Sequence, residues 1–469
     1  MRYAGRCAER RVVEPGRRTL SKIQQTFELL EGVDPEIALL LAISIFVPLF
    51  VLLATFRTPS LIFAMLVVGS CVLLRWEVLN VIGLLGKYPL LVVLAIVALV
   101  YRGKFRPSWL TRLYLVYCAV IVVGVFNPRS GSLEPGATLE GFIKFASYIL
   151  AYFGLIVLTA KMCADQHTSK QLLPWLLIWA VIVICIQFPF WSYLEGPKLT
   201  GVYQIPGTLQ HSLARSIVIL ALVLLSRGWG KWFVPGVAII LAAAGMLILT
   251  GGRTAIGSVL AAMPFVLRVR PGRAVLLVLV TALLGSAVLV RVLPTVWGFG
   301  QTAEHLWSLE SERYKMWRTI WPEVMAAPFF GHGTNTSERY STRRFGITLH
   351  NSYLDLAYDY GLPFAAAFMV VLGLAGLRAW RQMARAPTLE LRQLAALSGA
   401  LLVMLAVEAL FLSDVVRINL KWFLVCMCIG IQEGVAWRLR AASGSPGLDS
   451  VEWDSQAQLS NARGGLHHA

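Results

Sequence analysis

Apolar segments of about 20 residues, separated by short polar stretches, follow one another along most of the chain. About 20 apolar residues in a helix are needed to cross the hydrocarbon core of a bilayer. The pattern therefore predicts thirteen membrane-associated helical runs. They cover residues 36–55, 59–74, 88–101, 109–126, 141–160, 172–190, 209–225, 232–249, 254–267, 274–293, 352–377, 394–412 and 415–436.

Lysine and arginine fall in every second loop between these runs, which predicts the orientation of the chain because cytoplasmic loops are enriched in basic residues. The linkers 127–140, 191–208 and 294–349 and the turn at Asp414 are then expected on the outer side. The basic loop residues are Arg102, Lys104, Arg106, Lys161, Lys170, Arg227, Lys231, Arg268, Arg270, Arg273, Arg378, Arg381, Arg385, Arg392, Arg438 and Arg440.

Parity limits the first third of the chain. If the basic tail 1–35 and the loop around Lys104 are both cytoplasmic, the first three runs make only two complete crossings. We place the break near Lys87 and Pro89, since a charge at membrane depth costs about 2.5 to 3.5 kcal/mol. This predicts twelve crossings: an all-α polytopic membrane protein with a bundle over 36–293, an outer loop over 294–349, and helices over 350–440. The Ser- and Gly-rich tail 441–469 is expected to be disordered and cytoplasmic.

Composition supports a membrane protein. Hydrophobic residues make up 57% of the 469 residues, charged residues only 14%, and the mean hydropathy is +0.68, which excludes an ordinary soluble enzyme. The net charge of +17 would suggest nucleic acid in a soluble protein, but basic cytoplasmic loops explain it here. The seven cysteines show no spacing typical of a metal site or a disulfide framework.

The outer loop 294–349 is too long for a simple connection and too aromatic to be disordered. Residues 311–326 predict an amphipathic helix, which either lies in the bilayer interface or packs over the mouth of the bundle. Pro328 should end it, and Gly331 and Gly333 should allow a tight turn. The predicted apolar stripe consists of Tyr314, Trp317, Trp321 and Val324.

His350 stands where the outer loop returns to the membrane, at the start of the segment HNSYLDLAYDYG. If a helix begins there, His350, Tyr353, Leu354, Ala357 and Gly361 share one face. A single histidine at this depth either makes interfacial hydrogen bonds or accepts a proton from a hydroxyl group, as a neutral imidazole can.

Two arginines lie within or beside membrane runs on the predicted outer side. Arg215 is about two turns inside the run 209–225, and Arg253 follows Gly251 and Gly252 between two runs. Either arginine could snorkel or anchor at the interface, but intramembrane charges usually face a substrate path. Guanidinium groups bind phosphate oxygens through forked donors. Together with His350, they favour a substrate that is a lipid pyrophosphate.

These residues resemble the bacterial O-antigen ligase and O-antigen polymerase superfamily, over about 36–440. His350-Asn351, nine residues and Gly361 match the ligase pattern, although Phe364 stands where the family prefers Gly, Thr or Tyr. The turn TGGRTA over 250–255 is similar to the small-residue turn that ends in the family arginine. The stretch from Arg313 to the segment PFFGHG at 328–333 is similar to the one that precedes the family histidine.

The resemblance implies a GT-C-like, metal-independent, inverting glycosyltransferase of the bacterial inner membrane without a cofactor. It would transfer polysaccharide from undecaprenyl diphosphate to a sugar hydroxyl of lipid A-core in the periplasm. It has membrane lipids as surroundings and no nucleic-acid partner. By carry-over, His350 is the general base, and Arg215 and Arg253 hold the diphosphate. The expected supporting residues are Asn351, Asp414, Arg313 and His332.

Three other functions fit part of the pattern. An O-antigen polymerase or a protein O-oligosaccharyltransferase would use the same donor with another acceptor. A lipid-linked glycan transporter or flippase would also have twelve spans and buried arginines. Transporters often carry paired broken helices in internal repeats, and the single late outer loop has no counterpart in the first half of this chain.

Overall fold

A computed structural model gives the architecture of a large part of the chain. The predicted runs before residue 105, the run 274–293, the tail 1–35 and residues 444–469 lie outside the described residues, so the twelve crossings stay a prediction. The described residues all belong to one of the two compact units of the chain. They are 105, 107–124, 153–185, 194–195, 198–199, 206–227, 233–249, 253–272, 312–333, 336–346, 348–411 and 420–443.

The regular secondary structure of the described residues is helical apart from one antiparallel pair of two-residue strands, β1 (Leu194–Glu195) and β2 (Lys198–Leu199), which the all-α prediction did not include. The helices are α1 (Trp109–Gly124), α2 (Phe153–Ala164), α3 (Gln166–Cys185), α4 (Pro206–Arg227), α5 (Phe233–Leu249), α6 (Arg253–Val269), α7 (Glu312–Ala326), α8 (Thr336–Phe345), α9 (Ser352–Tyr360), α10 (Leu362–Arg385), α11 (Leu389–Ala409) and α12 (Leu420–Ala442).

One predicted run is wrong in its continuity. The run 352–377 is divided at Gly361, where φ is +96°, into the short helix α9 and the long helix α10. A non-glycine residue rarely adopts this backbone conformation, so the glycine allows the chain to change direction here. Hydropathy could not reveal the break, because the residues on either side of Gly361 are aromatic or apolar and Pro363 is tolerated in the first turn of α10.

Two helices of the described part, α10 and α11, are long and apolar enough to cross a membrane. Shorter apolar helical segments lie within α1, α2, α4, α5 and α6, at Trp109–Ile121, Phe153–Ala164, Gln210–Leu225, Phe233–Leu247 and Thr254–Val269. Length and composition are thus consistent with a helical membrane protein.

Helix α11 is the centre of the bundle and packs against α4, α6, α10 and α12. Thr388 caps its N-terminus by accepting a hydrogen bond from the Leu391 amide at 3.3 Å. Gly399 allows a close approach in its middle, since a Cβ atom there would lie 2.2 Å from the Phe265 ring of α6. A larger residue at this position would separate the two helices.

One end of the bundle, which we call the Glu433 end, gathers the basic helix termini. Arg378 of α10 donates to Glu433 of α12 at 2.7 Å, and Arg438 donates to Glu390 at 2.7 Å. The guanidinium of Arg268, near the end of α6, lies 4.0 Å from the centre of the Trp380 ring. These basic residues, which the sequence predicts on the same side of the membrane, therefore lie together at the Glu433 end.

The opposite end, which we call the Glu408 end, holds the start of α9 and the last turn of α11. Helices α4 and α11 are antiparallel, because Gln393 contacts the Leu222 carbonyl near one end while Glu408 contacts Arg215 near the other. The hydroxyl of Tyr353 in α9 donates to the Ala406 carbonyl at 3.0 Å, which fixes the start of α9 beside Glu408.

Candidate functional site

His350 lies immediately before α9 and is not part of it. Asn351 is the N-cap, and its side-chain oxygen accepts a hydrogen bond from the Leu354 amide at 3.0 Å. The predicted helical face that included His350 is therefore wrong, since the helix begins at Ser352. This placement also gives Asn351 a structural role, because it fixes the residue next to His350.

The backbone of His350 adopts a left-handed conformation with φ of +52°, the only positive φ of a non-glycine residue among those described. Histidine is one of the residue types that tolerate this region, but the conformation still costs about 1 to 3 kcal/mol. Such strain persists only where neighbouring structure holds it, and it is common at active sites.

Leu349, the residue before His350, is held in place by a side chain of the loop 294–349. The indole nitrogen of Trp317 in α7 donates to the Leu349 carbonyl at 2.7 Å, and Leu349 itself is fully buried. His350 thus lies between two fixed neighbours, the Leu349 carbonyl and the Asn351 cap. Arg313 precedes Trp317 by one helical turn, so its Cα lies on the side of α7 that approaches Leu349, while its side chain is exposed.

Arg215 is buried in an ionic cluster that sequence reasoning missed. Its guanidinium donates to Glu408, and the His211 Nδ1 atom lies 3.1 Å from the other carboxylate oxygen of Glu408. Glu408 is completely buried, and Arg215 and His211 are about 5% exposed. A charge buried in this way needs a compensating partner. Glu408 fixes the position of Arg215 in the half of α4 that lies toward the Glu408 end.

Arg253 is the first residue of α6, and the direction of α6 places that residue toward the Glu408 end. Arg268 contacts Trp380 at the Glu433 end, and Arg253 lies fifteen residues earlier, about 22 Å along the helix. From the contact of Gly399 with Phe265, α11 extends about 14 Å to Glu408 in the same direction. The structure thus brings the start of α6 toward the end of the bundle that holds Arg215.

The glycines of the family pattern allow the outer loop to lie against the junction of α9 and α10. The Leu362 amide donates to the Pro328 carbonyl at 2.7 Å. A Cβ atom on Gly361 would lie 2.4 Å from the Phe329 carbonyl oxygen, and one on Gly331 would lie 2.4 Å from the Asp359 backbone. The spacing of His350 and Gly361 follows from this arrangement. The nine residues of α9 lie between the strained turn at His350 and the close backbone contact at Gly361.

His332, predicted as a supporting residue, belongs to this loop contact. Its Nε2 atom is 2.9 Å from the Glu323 carbonyl, and its ring lies 4.4 Å from the ring of Tyr358. Tyr358 is near the C-terminus of α9, whereas His350 precedes its N-terminus, about 12 Å apart along the helix axis. The structure does not bring His332 beside His350. Asp414, the other predicted acidic residue, lies outside the described residues.

Helix α7 confirms the predicted helix at 311–326 and its end before Pro328, with Gly331 and Gly333 at positive φ. Its predicted stripe is partly wrong. The buried side consists of Met316, Ile320 and Val324, whereas Tyr314 and Trp321 are 52% and 49% exposed. Buried and exposed positions follow one another closely along this helix. An error of one position in the predicted stripe therefore changes which aromatic side chains are expected to be buried.

Glu408 and His211 could not be recognised from the sequence, since both lie inside apolar runs with no neighbouring motif. Within the described part of the chain, no group of three His, Cys, Asp or Glu side chains is placed to bind a metal ion. The Glu408 end holds Arg215, whose charge is paired with Glu408, and the strained turn of His350. Guanidinium donors can bind phosphate oxygens, and a neutral imidazole can accept a proton.

No curated protein matches this chain. Residues 237–369 match the model of the family described as O-antigen ligase. The matched segment contains Arg253, Arg313 and the whole pattern from His350 to Gly361, while Arg215 and Glu408 lie outside it. Over residues 237–369, somewhat more than a quarter of its length, the chain is thus similar to the O-antigen ligase family.

Proposed function

We propose that this protein is an O-antigen ligase of the bacterial inner membrane. It transfers polysaccharide from undecaprenyl diphosphate to a sugar hydroxyl of lipid A-core, and the Glu408 end faces the periplasm. The orientation is supported by the basic helix termini at the Glu433 end, since cytoplasmic loops are enriched in lysine and arginine. The single observation that carries the proposal is the arrangement of His350, Arg215 and the start of α6 toward one end of the bundle.

The proposed reaction is a single displacement. His350 removes the proton from the acceptor hydroxyl, and the oxygen attacks the anomeric carbon opposite the diphosphate. The bond between that carbon and the diphosphate oxygen breaks, so the configuration inverts. General-base catalysis contributes about 10² to 10⁴-fold to such a step.

Arg215 and Arg253 would stabilise the negative charge that develops on the departing diphosphate. A cation held in place before the reaction is most effective where little water is present, because it needs no reorganisation. Glu408 provides this preorganisation for Arg215, and the phosphate oxygens would share the guanidinium donors with Glu408. Two arginines can supply the positive charge that a metal ion supplies in many glycosyltransferases, so we propose that transfer needs no metal.

A polymerase remains the second candidate, because the matched superfamily contains both ligases and polymerases. A polymerase would use the same donor and the same leaving group, and only the acceptor would differ. A transporter is less well supported, since the matched family contains enzymes.

The acceptor decides between these functions. Purified protein would be incubated with undecaprenyl diphosphate-linked glycan and lipid A-core, without ATP and with EDTA. A ligase forms glycan attached to lipid A-core under these conditions. Longer lipid-linked chains with no attachment to lipid A-core would instead identify a polymerase. No product of either kind would contradict the proposed chemistry.

A further inference from the structure

A cavity of about 620 Å³ lies at the Glu433 end, between the last turns of α10 and α12 and the first turn of α1. The proposed reaction takes place at the opposite end of the bundle and does not use it. Part of its wall is apolar and is formed by Trp109, Leu110, Leu374, Leu377 and Leu439. The rest is strongly basic and contains Arg378, Arg381, Arg385 and Arg440.

Helix geometry directs these arginines into one space. Arg378, Arg381 and Arg385 are three and four residues apart, so they follow one face of α10. Arg440 reaches the same cavity from the last turn of α12. The cavity therefore concentrates guanidinium groups that come from two helices.

Only one of these charges is neutralised by a described carboxylate. Arg378 forms a forked pair with Glu433, at 2.7 and 3.2 Å, and also donates to Ser108 at 3.0 Å. Arg381 and Arg385 form no ion pair with any residue that the structure describes, and Arg440 donates only to the Ala436 carbonyl at 3.4 Å. Three positive charges at the cavity are thus available for an anionic ligand.

Favourable interaction with the C-terminal ends of α10 and α12 would explain basic residues here, but it does not require a cavity with an apolar wall. Trp109 is 63% exposed and Leu377 is 43% exposed beside the arginines. Tryptophan is enriched where a bilayer meets water. The wall thus offers apolar contact next to the positive charges, at the depth expected for a lipid headgroup.

We propose that this cavity binds an anionic phospholipid of the cytoplasmic leaflet. Guanidinium groups donate to the phosphate oxygens, and the upper part of an acyl chain lies along Trp109 and Leu377. Free phosphate would satisfy the arginines equally well but would leave the apolar wall without a partner. The proposal is independent of the proposed glycan transfer, because the two sites lie at opposite ends.

The test is a titration of the purified full chain in detergent with phosphatidylglycerol or phosphatidylcholine, followed by native mass spectrometry. Each arginine near a lipid phosphate contributes about fivefold in affinity, so Arg381→Gln combined with Arg385→Gln should weaken phosphatidylglycerol binding about 30-fold. Phosphatidylcholine binding should not change. Arg112→Gln is the matched control, since Arg112 is exposed on α1 at the same end and does not line the cavity.

A paired substitution to lysine, Arg381→Lys with Arg385→Lys, keeps the charge and serves if the glutamine variant is unstable. It should weaken phosphatidylglycerol binding less than tenfold, because the charge remains while the forked donors are lost. Equal binding of both lipids by the unchanged protein, or equal phosphatidylglycerol affinity in the glutamine and Arg112→Gln variants, would overturn the proposal. Displacement of phosphatidylglycerol by millimolar inorganic phosphate would overturn the assignment to a lipid.

Discussion

Glu408→Gln should damage both stability and glycan transfer, although Glu408 carries no expected chemical role of its own. The substitution preserves size and removes the negative charge that holds Arg215. Glu408 is fully buried and Arg215 is only 6% exposed, so water cannot replace the lost partner. Breaking a buried ion pair costs about 3 to 5 kcal/mol, and the glutamine oxygen still accepts a hydrogen bond, so we expect about 3 kcal/mol.

The effect on transfer follows from the position of Arg215. A displacement of about 1 Å in a group that contacts the reacting centre can slow a reaction about 100-fold. We expect the rate with saturating donor to fall 10- to 100-fold. The measurements are thermal unfolding in detergent and product formation from lipid-linked glycan and lipid A-core.

Glu433→Gln is the matched control. Glu433 holds Arg378 at 2.7 Å in a partly buried ion pair at the other end of the bundle. It should lower stability by a similar or smaller amount and leave transfer per folded protein unchanged. If Glu408→Gln lowered stability but transferred glycan at the full rate, Glu408 would have a structural role only, and our account of Arg215 would be refuted.

Two further substitutions test how the outer loop positions His350. Gly361→Ala should destabilise the protein by at least about 1 to 3 kcal/mol, because alanine is strained at this φ and its Cβ meets a carbonyl oxygen. Gly373→Ala is the control, since the added Cβ has no neighbour within 4 Å, and it should be neutral or stabilising in the same thermal unfolding assay. Trp317→Phe should remove the hydrogen bond to Leu349, cost about 0.5 to 1.5 kcal/mol and slow transfer at saturating donor. Trp321 is half-exposed, so the control Trp321→Phe should leave the rate unchanged. Equal rates for the two variants would contradict this role of Trp317.

The sequence predicted the helices better than their connections. Apolar runs reproduced α1, α4, α5 and α6 to within a few residues, because membrane helices need continuous apolar segments. The division at Gly361 was missed because it depends on a contact with a loop distant in sequence.

The candidate site was predictable only in part. His350 was recognisable from its position after the outer loop and from the family pattern. Its strained backbone and its separation from α9 depend on the Asn351 cap and on Trp317, which no periodicity reveals. The role of Glu408 could not be predicted from the sequence, because its partner, Arg215, is 193 residues away along the chain.

The central claim is that His350 removes the acceptor proton, and His350→Ala tests it most directly. The variant would be compared in single-turnover glycan transfer with a His167→Ala control, which changes an exposed histidine in the first turn of α3. We predict a rate at least about 100-fold lower for His350→Ala, in a folded protein that still binds the donor, and the full rate for the control. Glycan transfer by His350→Ala at the rate of the unchanged protein would contradict the account.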